Sequence, residues 1–174
     1  VEYCGGVAGW WVDFLGAQTN PKSPFHDKRV RQAVKHAIDW KAIDEAEGGR
    51  SPVMGGVVPE AFEFALKVEP AAYDPAKAKK LLTEAGYPNG FDAGDLTPAP
   101  KYFSMGEAVV NYLGAVGIKS RMQTMERAAF LSAWKEKKLT GLCLCNAGAL
   151  GNAATRIETY WYSKGSYSFP GAGH

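Results

Sequence analysis

The side chains best able to do covalent or metal chemistry in this chain are three histidines, three cysteines and a short run of carboxylates. His26, His36 and His174 stand at no spacing to Cys, Asp or Glu that reads as a metal site or a catalytic triad. His36 directly precedes Ala37 and Ile38 of an apolar stripe, which suits a helix-boundary residue. Cys143 and Cys145 are one residue apart with no histidine-rich segment nearby, and Cys4 is remote in sequence, so no metal-ligand pattern forms. On a strand, Cys143 and Cys145 point to the same face, and side chains two apart are poorly placed for a disulfide. They are expected as small buried core residues. An exposed, low-pKa thiol working with a distant histidine is the enzymatic alternative, a cysteine-dependent hydrolase or transferase.

Asp39, Asp44, Glu45 and Glu47 crowd at helical spacing, the pattern of a solvated helix face rather than of a catalytic pair. Neither a Gly-x-Ser-x-Gly elbow nor a Gly-x-x-x-x-Gly-Lys-Ser/Thr phosphate loop is present. The remaining chemistry is aromatic. Trp10, Trp11, Trp40 and Trp134 are expected in the core, whereas Trp161, inside Tyr160-Trp161-Tyr162, is weighed evenly between core and a polar-tipped ligand platform.

The elements that must position these groups are legible from periodicity. Trp10 to Gly16 reads as a strand closed by the breakers Asn20 to Pro24. Asp27 caps a helix whose stripe is Val30, Ala33, Val34, Ala37 and Ile38, running on towards Gly48-Gly49. Residues 50–73, with Pro52, Gly55, Gly56, Pro59 and Pro70, make a long irregular surface connection of the kind often used for function. Asp74-Pro75 opens a second helix that turns Ala78, Leu81, Leu82 and Ala85 inward and stops at Gly86. Phe91 to Thr97 is a short strand. Ser104 to Glu107 reads as a capping box for a third helix with Ala108, Val109, Tyr112, Leu113 and Val116 inward, ending at Gly117. A strand from Ile118 to Met125 comes next, then a helix over residues 126–138 with Phe130, Leu131 and Trp134 inward. Gly141 to Cys145 is a strand apolar on both faces.

Alternating strands and helices predict an α/β domain with a mixed or parallel sheet covered by helices, and ligands in such sheets sit at the loops beyond the strand ends. The composition, 46% hydrophobic and 22% charged, suits a globular domain. A formal charge of +2 spread without basic runs excludes a nucleic-acid surface. No apolar run approaches the roughly eighteen residues of a spanning helix.

Ser23-Pro24-Phe25-His26-Asp27-Lys28-Arg29-Val30-Arg31-Gln32-Ala33, followed by Ala37-Ile38-Asp39, resembles the opening of the second lobe in the dipeptide, oligopeptide and nickel-type solute-binding proteins of ABC importers. A second long match runs from Tyr73-Asp74-Pro75 through Leu81-Leu82 to Ala85-Gly86-Tyr87-Pro88-Asn89-Gly90-Phe91. A third, Leu113 to Lys119, is similar to the family's LxxxGIK passage. The resemblance implies a lobe like those of class II periplasmic binding proteins, a mixed sheet flanked by helices. Residues 1–9 would arrive from the hinge, and 10–174 would be a second lobe truncated at both flanks. It further implies a peptide or small-molecule ligand, ABC permease subunits as partners, a periplasmic or extracytoplasmic location, and neither catalysis, metal nor cofactor. A sensor module built on the same lobe is a further alternative.

Ligand-facing groups are expected at Asn146, Gly148, Gly151 and Asn152, at Thr155 and Arg156, and at Tyr102, Phe103 and Trp161. Gly148 and Gly151 permit close backbone approach, and a helix starting near 152–155 offers unsatisfied N–H groups. Peptide-binding members of the family resemble one another in carrying an acid in the loop after the strand at 141–145; this chain has no Asp or Glu there before Glu158.

Overall fold

The computed structural model describes residues 9–15, 17–49, 58, 63–147, 152–160, 162 and 164–165. β1 (Gly9–Asp13) is shorter than the expected strand, because Asp13 Oδ1 accepts the Leu15 N–H at 2.8 Å and Leu15 turns to a φ of 48°. α1 (Lys28–Ala37) begins where Asp27 accepts the Arg29 N–H, and it buries Val30, Ala33, Val34 and Ala37. It stops earlier than periodicity suggests. Ile38 is extended and buried, and Asp39 restarts the chain as α2 (Trp40–Ala46) by accepting the Ala42 N–H at 3.0 Å. Asp39 is therefore a half-buried cap and not part of a solvated acidic face. An Asp that offers its own backbone-directed acceptor competes with helix continuation at that point.

α3 (Pro75–Glu84) keeps close to the sequence expectation, with Asp74 accepting the Lys77 N–H and Gly86 at a φ of 91° after the last turn. β2 (Phe91–Pro98) leads into α4 (Phe103–Ala115), and β3 (Ile118–Met122) into α5 (Arg127–Lys135). β4 (Leu142–Ala147) precedes α6 (Ala153–Tyr160). Two expected details change. α4 starts one residue before Ser104, with Tyr102 at the cap position and no side-chain capping bond there, so no capping box forms. Leu131 is 46% exposed, because α5 meets the sheet through the face that carries Phe130, Ala133 and Trp134.

The sheet order is β1-β4-β2-β3, with β1 antiparallel to β4 and the other pairs parallel. Leu96, Ile118, Leu142 and Leu144 point into a core shared with α1, α3 and α4. Cys143 and Cys145 point the other way, against Phe130, Trp134 and Leu139. The split has a chiral cause. β2-α4-β3 steps outwards across the sheet and β3-α5-β4 steps back, so two right-handed crossovers must lay α4 and α5 on opposite faces.

Cys143 and Cys145 are fully buried core residues as expected, but they are joined in a disulfide. The expectation of poor geometry fails because the strand brings their Cα atoms to 5.6 Å, within disulfide reach.

Candidate functional site

β2, β3 and β4 are parallel, so their carboxyl ends share one edge of the domain. Pairing continues past β2, since the Ala99 N–H donates to the Leu144 carbonyl at 2.9 Å; beside β3, the Gln123 N–H donates to the Leu96 carbonyl at the same distance. The chain leaving β2 therefore delivers Tyr102 and Phe103 to this edge. Tyr102 is half-buried and packs against both hydrophobic layers, whereas Phe103, the first residue of α4, is 37% exposed.

Asn146 lies in β4 opposite Trp10 of β1, at the end of the strand that feeds the same edge. Asn152 and Thr155 are both exposed at the start of α6. Asn152 Oδ1 accepts the Thr155 N–H at 2.9 Å, so the asparagine caps the helix and occupies one of its free donors. The Thr155 carbonyl accepts from Thr159 Oγ1 at 2.7 Å. Arg156 is on α6, but its side chain falls outside the described residues, as do Gly148, Gly151 and Trp161 entirely.

One residue read from sequence as solvated helix face also reaches this edge. Phe25, just before α1, places its ring 5.5 Å from that of Phe91 at the start of β2, and α1 and α2 follow in the chain. The C-cap of α2, Glu47, receives a 2.7 Å hydrogen bond from Ser104 Oγ in the first turn of α4. The available signal is an acid at a helix C-terminus with no basic residue in the last turn, opposite to what the helix dipole favours.

The groups with displaced pKa lie away from this edge. Arg29 hydrogen-bonds Asp27 and lowers its pKa at the start of α1; the Gly94 N–H and then Arg121 do the same for Asp92 on β2. Burial lowers the pKa of Lys137, beyond α5, against the opposing charge of Asp13. His36 Nδ1 donates to the Ala72 carbonyl at 2.8 Å, a helix-end contact. Among the described residues no cluster of three or more His, Cys, Asp or Glu could hold a metal ion, and no helix is long and apolar enough to cross a membrane.

Residues 5–168 match the family model described as bacterial extracellular solute-binding proteins, family 5 Middle. Heme-binding protein A of Haemophilus influenzae is 36% identical over 129 residues, 68% of this chain and 23% of that protein. Glutathione-binding protein GsiB of Escherichia coli is 36% identical over 110 residues, 60% of this chain and 21% of its own. The chain thus spans less than a quarter of the length of these relatives. Among solved structures, the ABC transporter-associated periplasmic binding protein DppA from Helicobacter pylori, in complex with the peptide STSA, shares the fold. Its TM-score is 0.77 at 24% identity, over 91% of this chain and 31% of that one. A dipeptide-binding protein from Pseudoalteromonas sp. SM9913 in complex with Met-Leu gives a TM-score of 0.68 at 28% identity, over 82% of this chain and 29% of that one.

Proposed function

The chain belongs to the bacterial extracellular solute-binding proteins of family 5, and on that premise we propose that it is one lobe of a two-lobed receptor serving an ABC importer. The receptor closes by hinge motion over a peptide or other small organic solute and presents the closed form to permease subunits in the membrane. Residues 10–174 form the second lobe and 1–9 the segment arriving from the hinge. The family match over residues 5–168 carries this reading. The carboxyl edge of the parallel strands supports it as the ligand face, since α/β sheets bind beyond that end.

On this lobe Asn146, Gly148, Gly151, Asn152, Thr155, Arg156, Tyr102, Phe103 and Trp161 meet the solute, and the facing lobe supplies the rest. The Cys143–Cys145 disulfide favours an oxidising, extracytoplasmic compartment. The same bond counts against a cysteine-dependent hydrolase, because neither buried sulfur is available as a thiolate nucleophile.

Isotope-labelled chain titrated with trialanine tests the reading directly. The expected result is weak, saturable shifts of the Tyr102, Phe103, Asn152 and Thr155 amides. Affinity is low because half the contacts are absent. Turnover of the peptide, or shifts confined to the opposite edge of the sheet, would overturn it.

A further inference from the structure

α1 and α3 pack as an antiparallel pair. Arg29 Nη1, at the start of α1, donates to the Glu84 carbonyl at the end of α3 at 2.6 Å, and the Asp74 N–H, just before α3, donates to the His36 carbonyl at 2.9 Å. With their capping aspartates the two helices carry seven Lys or Arg and three acids, a surplus of four in a chain whose whole net charge is +2. The acids are already engaged. Asp27 and Asp74 accept backbone N–H groups, Asp27 also pairs with Arg29, and Glu84 pairs with Lys80 at 3.9 Å. Lys28 and Lys35 are exposed on the stripe of α1 opposite the buried Val30, Ala33, Val34 and Ala37. Lys77 and Lys80 are exposed on the stripe of α3 that also holds Glu84, and so on the side towards α1. Among the described residues the side chains of Lys28, Lys35 and Lys77 form no ion pair.

The stretch that leads into α3 adds apolar side chains. Phe64 is 85% exposed and Leu66 77%, and Val68 and Tyr73 are exposed as well. His36 Nδ1 donates to the Ala72 carbonyl at 2.8 Å, which moors the end of this stretch at the C-terminus of α1, next to Lys35. Leu66 is six residues from that mooring, a reach of at most about 22 Å, and each helix is roughly 15 Å long. Glu63, Lys67 and Glu69 leave residues 63–69 a charge of −1, small beside the surplus on the helices.

We propose that this surface docks on an anionic lipid bilayer, with Lys28, Lys35, Lys77 and Lys80 over the headgroup phosphates and Phe64 and Leu66 entering the interface. Lysine is a hydrated point charge on a flexible stem, which suits a fluid lattice of phosphates, whereas protein interfaces favour arginine and are poor in lysine. The exposed apolar groups add the shallow burial that holds an amphipathic surface at the headgroup boundary. α1 and α3 cover a face of the sheet and not its carboxyl edge, so this docking and the solute site succeed or fail independently.

Vesicle sedimentation tests the proposal. The chain is expected to partition onto vesicles of phosphatidylglycerol and phosphatidylcholine in equal parts at low salt, to be released as salt nears about 0.5 M, and to leave pure phosphatidylcholine largely free. Lys77→Gln with Lys80→Gln weakens the partition about tenfold, and Phe64→Ser about two- to fivefold. Lys119→Gln with Lys135→Gln, the same change of charge on β3 and α5, leaves it within about twofold. All these positions are exposed, so the variants fold, as circular dichroism checks. No partition onto the acidic vesicles, equal partition onto neutral ones, or equal losses in the two lysine pairs would overturn the proposal. Binding to polyglutamate without binding to vesicles assigns the face to an acidic protein and overturns it equally.

Discussion

Gly90 and Gly117 lie back to back where β2 and β3 begin. A methyl group on Gly90 would sit 1.9 Å from the Gly117 carbonyl oxygen, which itself accepts the Phe91 N–H at 3.1 Å. Both glycines also have positive φ, 74° and 96°. The two sequence passages that contain these glycines therefore pack as one unit. Gly90→Ala is expected to destabilise the fold by about 2–4 kcal/mol. Gly114→Ala, in α4 with open space around its Cα, is expected to stabilise it by about 0.5–1 kcal/mol. Urea unfolding of the two variants checks the contrast.

The α5 layer should respond to one face only. Trp134 is 5% exposed and stacks edge-on against Phe130 at 5.4 Å, whereas Leu131 stands outside the packing. Trp134→Ala is expected to cost about 3–5 kcal/mol. Leu131→Ala should change stability by less than about 0.5 kcal/mol. Equal effects in denaturant titrations would mean that α5 is rotated about its axis.

Acid should loosen the start of α1. The Arg29 side chain, and then its N–H, hold the Asp27 carboxyl below its ordinary value of 3.8 in the folded protein. A depressed folded pKa contributes stability that is complete above the unfolded value and is lost as pH falls through the folded one. Thermal midpoints of the parent chain should therefore fall as pH drops below about 4. Asp27→Asn should show a lower midpoint at neutral pH and a smaller fall on acidification. An unchanged acid slope in the variant would assign the acid response to other carboxylates, among them Asp92, whose pKa is also lowered.

The disulfide should resist chemistry rather than perform it. Cys143 and Cys145 lie beneath α5 and are fully buried, so neither should react with a thiol reagent in the native protein. Both should label after unfolding and reduction, as peptide mass mapping reads. Closing so short a loop removes little denatured-state entropy, and the bond should matter mainly through packing. Replacing both by alanine is expected to cost about 1–3 kcal/mol.

Local chemistry made most of the fold legible. Asp27, Asp74-Pro75, Gly86 and Gly117 mark helix ends within a few residues of the groups they satisfy, and the inward residues of α1, α3 and α4 repeat at helical spacing. The same reasoning missed the break at Ile38, because an extended buried isoleucine is invisible to a stripe that it completes. It placed Leu131 inward, because spacing alone does not say how wide a helix contact is. Of the candidate site, Tyr102, Phe103, Asn152 and Thr155 are legible because each stands in the stretch just beyond a strand, where α/β sheets place their ligands. Glu47 is not, because its bond to Ser104 depends on how α2 and α4 are folded together and leaves no periodic trace.

The pairing of β1 with β4 sets a constraint on how the chain reaches this state. Gly9 aligns with Ala147, so almost the whole described chain separates two partners in one ladder. β2 and β3 can pair around α4 much sooner, since only a single crossover divides them. Loop closure over a long span is slow because its entropy is lost before its contacts form. During synthesis, Gly9 to Asp13 cannot pair with β4 until β4 has left the ribosome. The β1–β4 ladder is therefore expected to form late, and a chain stopped before residue 142 should lack the partner that covers this side of β1.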